Sequence, residues 1–125
     1  MGLEDKSLKY SSGNFGLALD IGTTTISAEL INLENKKVLG TKTSYNKQAS
    51  FGADIITRII YAGQNEGLEK LHDAVSLTVN QIIQILALEN KVNLNNINSI
   101  VCAGNTTMIH LLLKIDPAYI RKDPY

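Results

Sequence analysis

The sequence predicts an α/β fold in which strands are laid down first and helices follow. Three observations carry this expectation. Short apolar runs bounded by turn residues crowd the first third of the chain. A long stretch with three-and-four apolar spacing fills the middle. A further apolar run followed by a short helical pattern comes last. At 125 residues the chain suits one domain. A domain of this size buries roughly two-thirds of its unfolded surface without a disulfide or metal.

Residues 1–14 are polar, lack the apolar run of a signal peptide and read as a disordered tether. Phe15 to Asp20 (FGLALD) is a buried strand that ends abruptly at a carboxylate, and Ile21 to Thr25 is a small-residue turn. Ile26 to Leu33 forms a second strand, Glu34 to Lys37 a polar hairpin connection, and Lys37 to Tyr45 a third strand. Lysines and threonines alternating along that third strand predict a solvated face at a sheet edge. Asn46 to Gly52 reads as loop, and Asp54 to Ala62 as a short helix stopped by Gly63. From Leu68 to Lys91, Leu68, Leu71, Val75, Val79, Ile82 and Leu86 line one face of a long amphipathic helix. Ile97 to Ala103 is a fourth strand, and Thr106 to Lys114 a helix with Asn105 as N-cap and Asp116-Pro117 as stop.

The order β-β-β-α-α-β-α describes most of a ribonuclease-H-like layer, left unfinished on its C-terminal side. The chain therefore reads as part of a longer fold, with a compact variant of the layer as the alternative. Twelve basic and twelve acidic residues cancel, which argues against nucleic-acid binding and against a polybasic membrane binder. No stretch approaches the roughly 18 apolar residues of a membrane span. The single cysteine, Cys102, excludes an internal disulfide framework and any all-cysteine iron–sulfur or zinc site within this chain. The expected compartment is the reducing cytoplasm.

Two constellations carry chemistry. In Asp20-Ile21-Gly22-Thr23-Thr24-Thr25, Gly22 permits close backbone approach and three threonines offer hydroxyls to a phosphate. Asp20, at a strand end, is placed to hold Mg²⁺ through water or to orient a nucleophile. The plain alternative is a hairpin in which Gly22 serves only the turn. In Gly104-Asn105-Thr106-Thr107-Met108, a strand passes into a helix whose first N–H groups lack partners. Asn105 and Thr106 face the same sheet end as Asp20 if the two strands run parallel; simple helix capping is the alternative.

There is no GxxxxGK[ST] loop and no GxGxxG fingerprint. A nuclease of this layer wants several carboxylates converging on two metals, whereas the later strand ends in Gly104-Asn105. His72 and His110 fall on different helices and read as ordinary surface or core residues. Cys102 reads as an inert buried side chain. Asp54 and Arg58, four apart on one helix, read as a local ion pair.

The DIGTTT motif between two strands resembles the first phosphate motif of the actin-like ATPase superfamily, which includes sugar and acetate kinases, heat-shock chaperones and actin. The segments GLALDIGTTTISAELINLENKKVL, SFGADIITRI and IVCAGNTTMIHLLLKIDP narrow the match. Together they are similar to the actin-like ATPase domain of the reductive activators of corrinoid proteins, the ferredoxin-like corrinoid activation proteins. The resemblance runs from Phe15 to Tyr125 and implies the first lobe of that domain, without the second lobe.

In that family ATP hydrolysis is coupled to returning inactive cob(II)alamin to cob(I)alamin, with electrons arriving through an iron–sulfur cluster in another domain. The resemblance implies Mg-ATP as cofactor and a corrinoid protein as partner. It places Asp20, Gly22, Thr23, Thr24 and Thr25 in the first phosphate loop and Asn105 and Thr106 along the cleft. A single lobe offers half the nucleotide contacts, so little or no ATPase activity is expected of this chain alone. Two other functions are compatible with the first motif: a lobe of a small-molecule kinase or acyl-CoA dehydratase activator, and a docking module without turnover. An unfinished sheet further implies an exposed edge and uncovered apolar helix faces, and self-association as a homodimer through the sheet or a helix face.

Overall fold

A computed structural model describes residues 13–121. The tether expected over 1–14 lies outside the described residues except for Gly13 and Asn14. Asn14 is already tied to the sheet: its carbonyl accepts from Leu33 N at 2.9 Å and its Oδ1 from Asn98 Nδ2 at 2.6 Å.

Strand β1 (Phe15–Ile21) sends Phe15, Leu17, Leu19 and Ile21 to one face, where all four are buried. Strand β2 (Thr25–Asn32) does the same with Ile26, Ala28 and Leu30. This period-two burial follows from the alternating direction of side chains along a strand. The two strands pair antiparallel, from Phe15↔Asn32 to Ile21↔Ile26. Strand β3 (Lys37–Tyr45) pairs antiparallel with β2, with a register shift at Leu30/Ile31.

Helix α1 (Ile55–Ala62) and helix α2 (Gly67–Glu89) carry the chain across to strand β4 (Ile97–Gly104), which pairs parallel with β1. A parallel pair needs such a crossover because a tight turn cannot reverse the chain twice. Helix α3 (Thr106–Leu112) follows. The sheet order is β3-β2-β1-β4. The element order therefore matches the sequence expectation, and the boundaries differ by one or two residues.

The core lies between the sheet and α2, where Leu71, Val75, Val79, Ile82 and Leu86 meet the inward residues of β1 and β2. Met108 and Leu111 of α3 close one end. Helix α2 is long and apolar enough to cross a membrane by length and composition, which corrects the expectation that no segment approaches a span. Its apolar stripe is instead covered by the sheet, as in a core helix.

Helix α1 begins at Asp54, whose Oδ1 accepts from Thr57 N at 2.8 Å and from Thr57 Oγ1 at 2.6 Å. The Thr57 hydroxyl, more than any other neighbour, holds the Asp54 carboxyl below the usual carboxylate range. The expected Asp54–Arg58 ion pair does not form. The Asp54 carboxylate caps the helix at its exposed start, while Arg58 turns inward and is fully buried. Asn46 to Gly52, expected as plain loop, contains a 3-10 turn over Lys47–Ser50 with buried Asn46 and Gln48.

Strand β4 brings a further correction, at Cys102. Residues 98–104 are exposed throughout; β4 forms an edge of the sheet, paired only with β1 among the described residues. Ile100 is 53% and Val101 65% exposed. Cys102, expected to be buried, is exposed on this edge. Partial burial pushes its thiol above the ordinary value, so at neutral pH it is held as the less reactive thiol. Iodoacetamide is expected to label Cys102 in the folded chain slowly at neutral pH, and faster as pH rises beyond the ordinary thiol range. Mass spectrometry showing no labelling at alkaline pH, with the fold intact, would mean that this edge is covered in solution.

Candidate phosphate-binding site

Asp20 occupies the outward phase of β1, between buried Leu19 and Ile21, so its carboxylate leaves the core and stands exposed. Its cross-strand neighbours are Ser27 on β2 and Ala103 on β4. With Glu29 and Thr41 these residues line an open recess of about 510 Å³ on the sheet face away from the helices. The Asp20 carboxylate has no ion-pair or hydrogen-bond partner among the described residues. A carboxylate free at a strand end suits water-mediated contact with a divalent cation.

The turn after β1 is built tightly. A Cβ on Gly22 would run into the Thr25 carbonyl oxygen, far inside contact distance. Glycine is thus required there by close approach, which realises the hairpin reading without removing the other. The hydroxyls of Thr23, Thr24 and Thr25 carry no hydrogen bond among the described residues.

The turn is held from behind by Asn46, which is 1% exposed. Its Nδ2 donates to the Gly22 carbonyl at 3.0 Å and its backbone N to the Thr24 carbonyl at 2.8 Å. Sequence reading missed Asn46 because an asparagine opening a polar loop looks like any turn residue. The one local signal was Gln48 two residues on, whose N–H donates to Asn46 Oδ1 at 3.0 Å.

The parallel pairing of β1 with β4 places Ala103 beside Asp20 and Gly104 beside Ile21. The strand-to-helix junction therefore lies next to the Gly22 turn, at the same end of the sheet. Asn105 caps α3, its Oδ1 accepting from Met108 N at 2.9 Å. The capping alternative is thus realised for this side chain, while Thr106 remains exposed beside it. His110 Nδ1 lies 2.7 Å from the Thr106 carbonyl and His72 Nδ1 3.3 Å from the Leu111 carbonyl. His110 makes a contact within its own helix, and His72 ties α2 to α3.

No group of three or more potential metal-ligating side chains occurs among the described residues. One exposed cysteine does not fit an iron–sulfur cluster. The donor set of Asp20, the Gly22 turn and the threonine hydroxyls fits a phosphate accompanied by a hydrated divalent cation.

A four-stranded mixed sheet with one antiparallel meander, a parallel fourth strand and polar strand ends gathered on one side defines a lobe of the actin-like class. An archaeal actin homologue, Ta0583, superimposes with a TM-score of 0.52 at 14% identity, over 86% of this chain and 42% of that protein, and so shares its fold. Within this class the chain belongs to the RACo middle region family, whose profile matches residues 15–125. The structure of a reductive activator for corrinoid, iron-sulfur protein matches with a TM-score of 0.89 and 55% identity, over 92% of this chain and 18% of that one. The corrinoid activation enzyme RamQ of Eubacterium limosum is 35% identical over 112 residues, 89% of this chain and 19% of RamQ. The chain is thus related to reductive activators of corrinoid proteins, and spans about a fifth of the length of these relatives.

Proposed function

We propose that this chain is the phosphate-binding part of the first lobe of a cytoplasmic, ATP-dependent reductive activator, which returns cob(II)alamin of a corrinoid protein to cob(I)alamin. The observation that supports it most is the juxtaposition of the Asp20–Gly22 turn and the Gly104–Thr106 junction at one sheet end, in a chain of this family. Mg-ATP supplies the hydrolysable phosphoanhydride. Asp20 holds the hydrated Mg²⁺ or orients the attacking water. The Gly22 turn and the Thr23, Thr24 and Thr25 hydroxyls receive phosphate oxygens, and Asn105 and Thr106 border the cleft. Electrons reach the corrinoid through an iron–sulfur cluster in another domain, and a second lobe completes the nucleotide site.

Thermal unfolding with and without Mg-ATP tests this reading. A ligand at ten times its dissociation constant adds about 1.4 kcal/mol, or roughly 5 °C for a domain of this size. The shift is expected in the wild-type chain and lost in Asp20→Ala. ATP turnover by the chain alone is expected to match that of Asp20→Ala. A shift that survives the substitution would remove Asp20 from the site.

The uncovered β4 edge, with Ile100 and Val101 exposed, supports a second proposal, self-association of the isolated chain. Light scattering is expected to give a dimer mass; a strict monomer at high concentration would overturn it.

A further inference from the structure

Behind the Gly22 turn, buried polar side chains form one continuous chain of hydrogen bonds. Asn46 Nδ2, already donating to the Gly22 carbonyl, also lies 3.2 Å from Gln48 Oε1. Arg58 Nη1 donates to the same Oε1 at 3.2 Å and lies 3.5 Å from Met108 Sδ, in the first turn of α3. Arg58 Nε donates to the Gly52 carbonyl at 2.7 Å, and Gln48 Nε2 donates to the Leu71 carbonyl of α2 at 3.0 Å. Gln48 and Arg58 are both fully buried.

A guanidinium in this position is costly. It has no carboxylate within ion-pair distance, and its Nη2 is buried without a hydrogen-bond partner among the described residues. Burial pushes its pKa below the ordinary value, and the charge of Asp54 offsets only part of this. An apolar side chain of similar volume would fill the same space with a smaller desolvation penalty. What such a residue lacks is the fork of donors that fixes Gln48 and reaches α3 at once.

The consequence appears at the turn. In a trans peptide the C=O and the following N–H point in opposite directions. Drawing the Gly22 carbonyl towards Asn46 therefore aims the Thr23 N–H away from the core. We propose that Asn46, Gln48 and Arg58 form a positioning network that presents the Thr23 N–H to phosphate and locks the Gly22–Thr24 turn to the first turn of α3. The three residues act through the turn and do not touch the ligand. The phosphate part of this inference rests on the nucleotide-binding reading above; the locking of the turn does not.

The test uses the whole ¹⁵N-labelled chain and two variants. Asn46→Ser keeps a side-chain oxygen suited to capping the 3-10 turn and removes the donor to Gly22. Arg58→Lys keeps the charge and removes the fork. Without ligand, backbone order parameters at Thr23 and Thr24 are expected to fall from about 0.85 to below about 0.6, with β1 and β2 unchanged. Titration with Mg-ATP well below each variant's melting temperature is expected to show roughly tenfold weaker binding, equivalent to about 1.4 kcal/mol, in addition to the lower melting temperature that the lost buried hydrogen bonds bring. A merely structural role would lower the melting temperature and leave that affinity alone. Unchanged order at Thr23 and Thr24 in either folded variant overturns the network, and so does failure of both variants to fold. A turn loosened in the variants, together with a wild-type chain that binds no Mg-ATP, would leave the network standing and overturn the nucleotide reading.

Discussion

Gly22→Ala is expected to lose both stability and its response to Mg-ATP. The added methyl meets the Thr25 carbonyl, a backbone atom that cannot swing aside as a side chain can. The turn must open, and opening it breaks the Asn46 contacts to Gly22 and Thr24 as well. Strain with loss of a buried hydrogen-bond network costs about 2–4 kcal/mol, a fall of roughly 10–20 °C in melting temperature for a domain of this size. Circular dichroism melts with and without nucleotide measure both effects. A variant melting within about 2 °C of wild type would mean that the turn relaxes at little cost.

Leu71→Ala is the second large effect. Leu71 is fully buried at the centre of the core, on the face of α2 that meets the sheet. Truncation removes three carbons and leaves a cavity that the packed strands fill only in part, costing about 2–5 kcal/mol. The urea midpoint is expected to fall with an unchanged slope, since the surface exposed on unfolding barely changes. The Leu71 carbonyl, which accepts from Gln48, survives the substitution, so the Mg-ATP response per bound ligand is expected to persist below the new midpoint. Loss of that response in a folded variant would make the core and the turn one cooperative unit.

Much of this fold was legible because its elements depend on near neighbours in sequence. Alternation along Phe15–Ile21 and three-and-four spacing along Leu71–Leu86 are local patterns, each stating which face is inward. The polar strand ends at Asp20 and Gly104 were legible too, since residue type alone marks where an apolar run stops. Their meeting was conditional on the strands running parallel, and β1 and β4 do so. Cys102 was misread because an apolar strand looks the same at an edge as in the middle of a sheet. Edge position is a property of topology, and no composition of INSIVCA encodes it. Arg58 was misread for a related reason. Its spacing from Asp54 permits a surface pair, but Thr57 occupies the carboxylate, while Gln48 and Gly52 offer acceptors inside.

The sheet also implies an order of assembly. β1, β2 and β3 pair through short turns, whereas Phe15 of β1 must wait for Ile97 of β4. Closing that long loop costs entropy before any contact rewards it. On a growing polypeptide the meander can form while α2 is still being made, with β4 docking afterwards onto a finished surface. Both edge strands, β3 and β4, are paired on one side only among the described residues. Their amides are expected at the fast end of the hydrogen-exchange gradient, and those of β1 and β2 at the slow end.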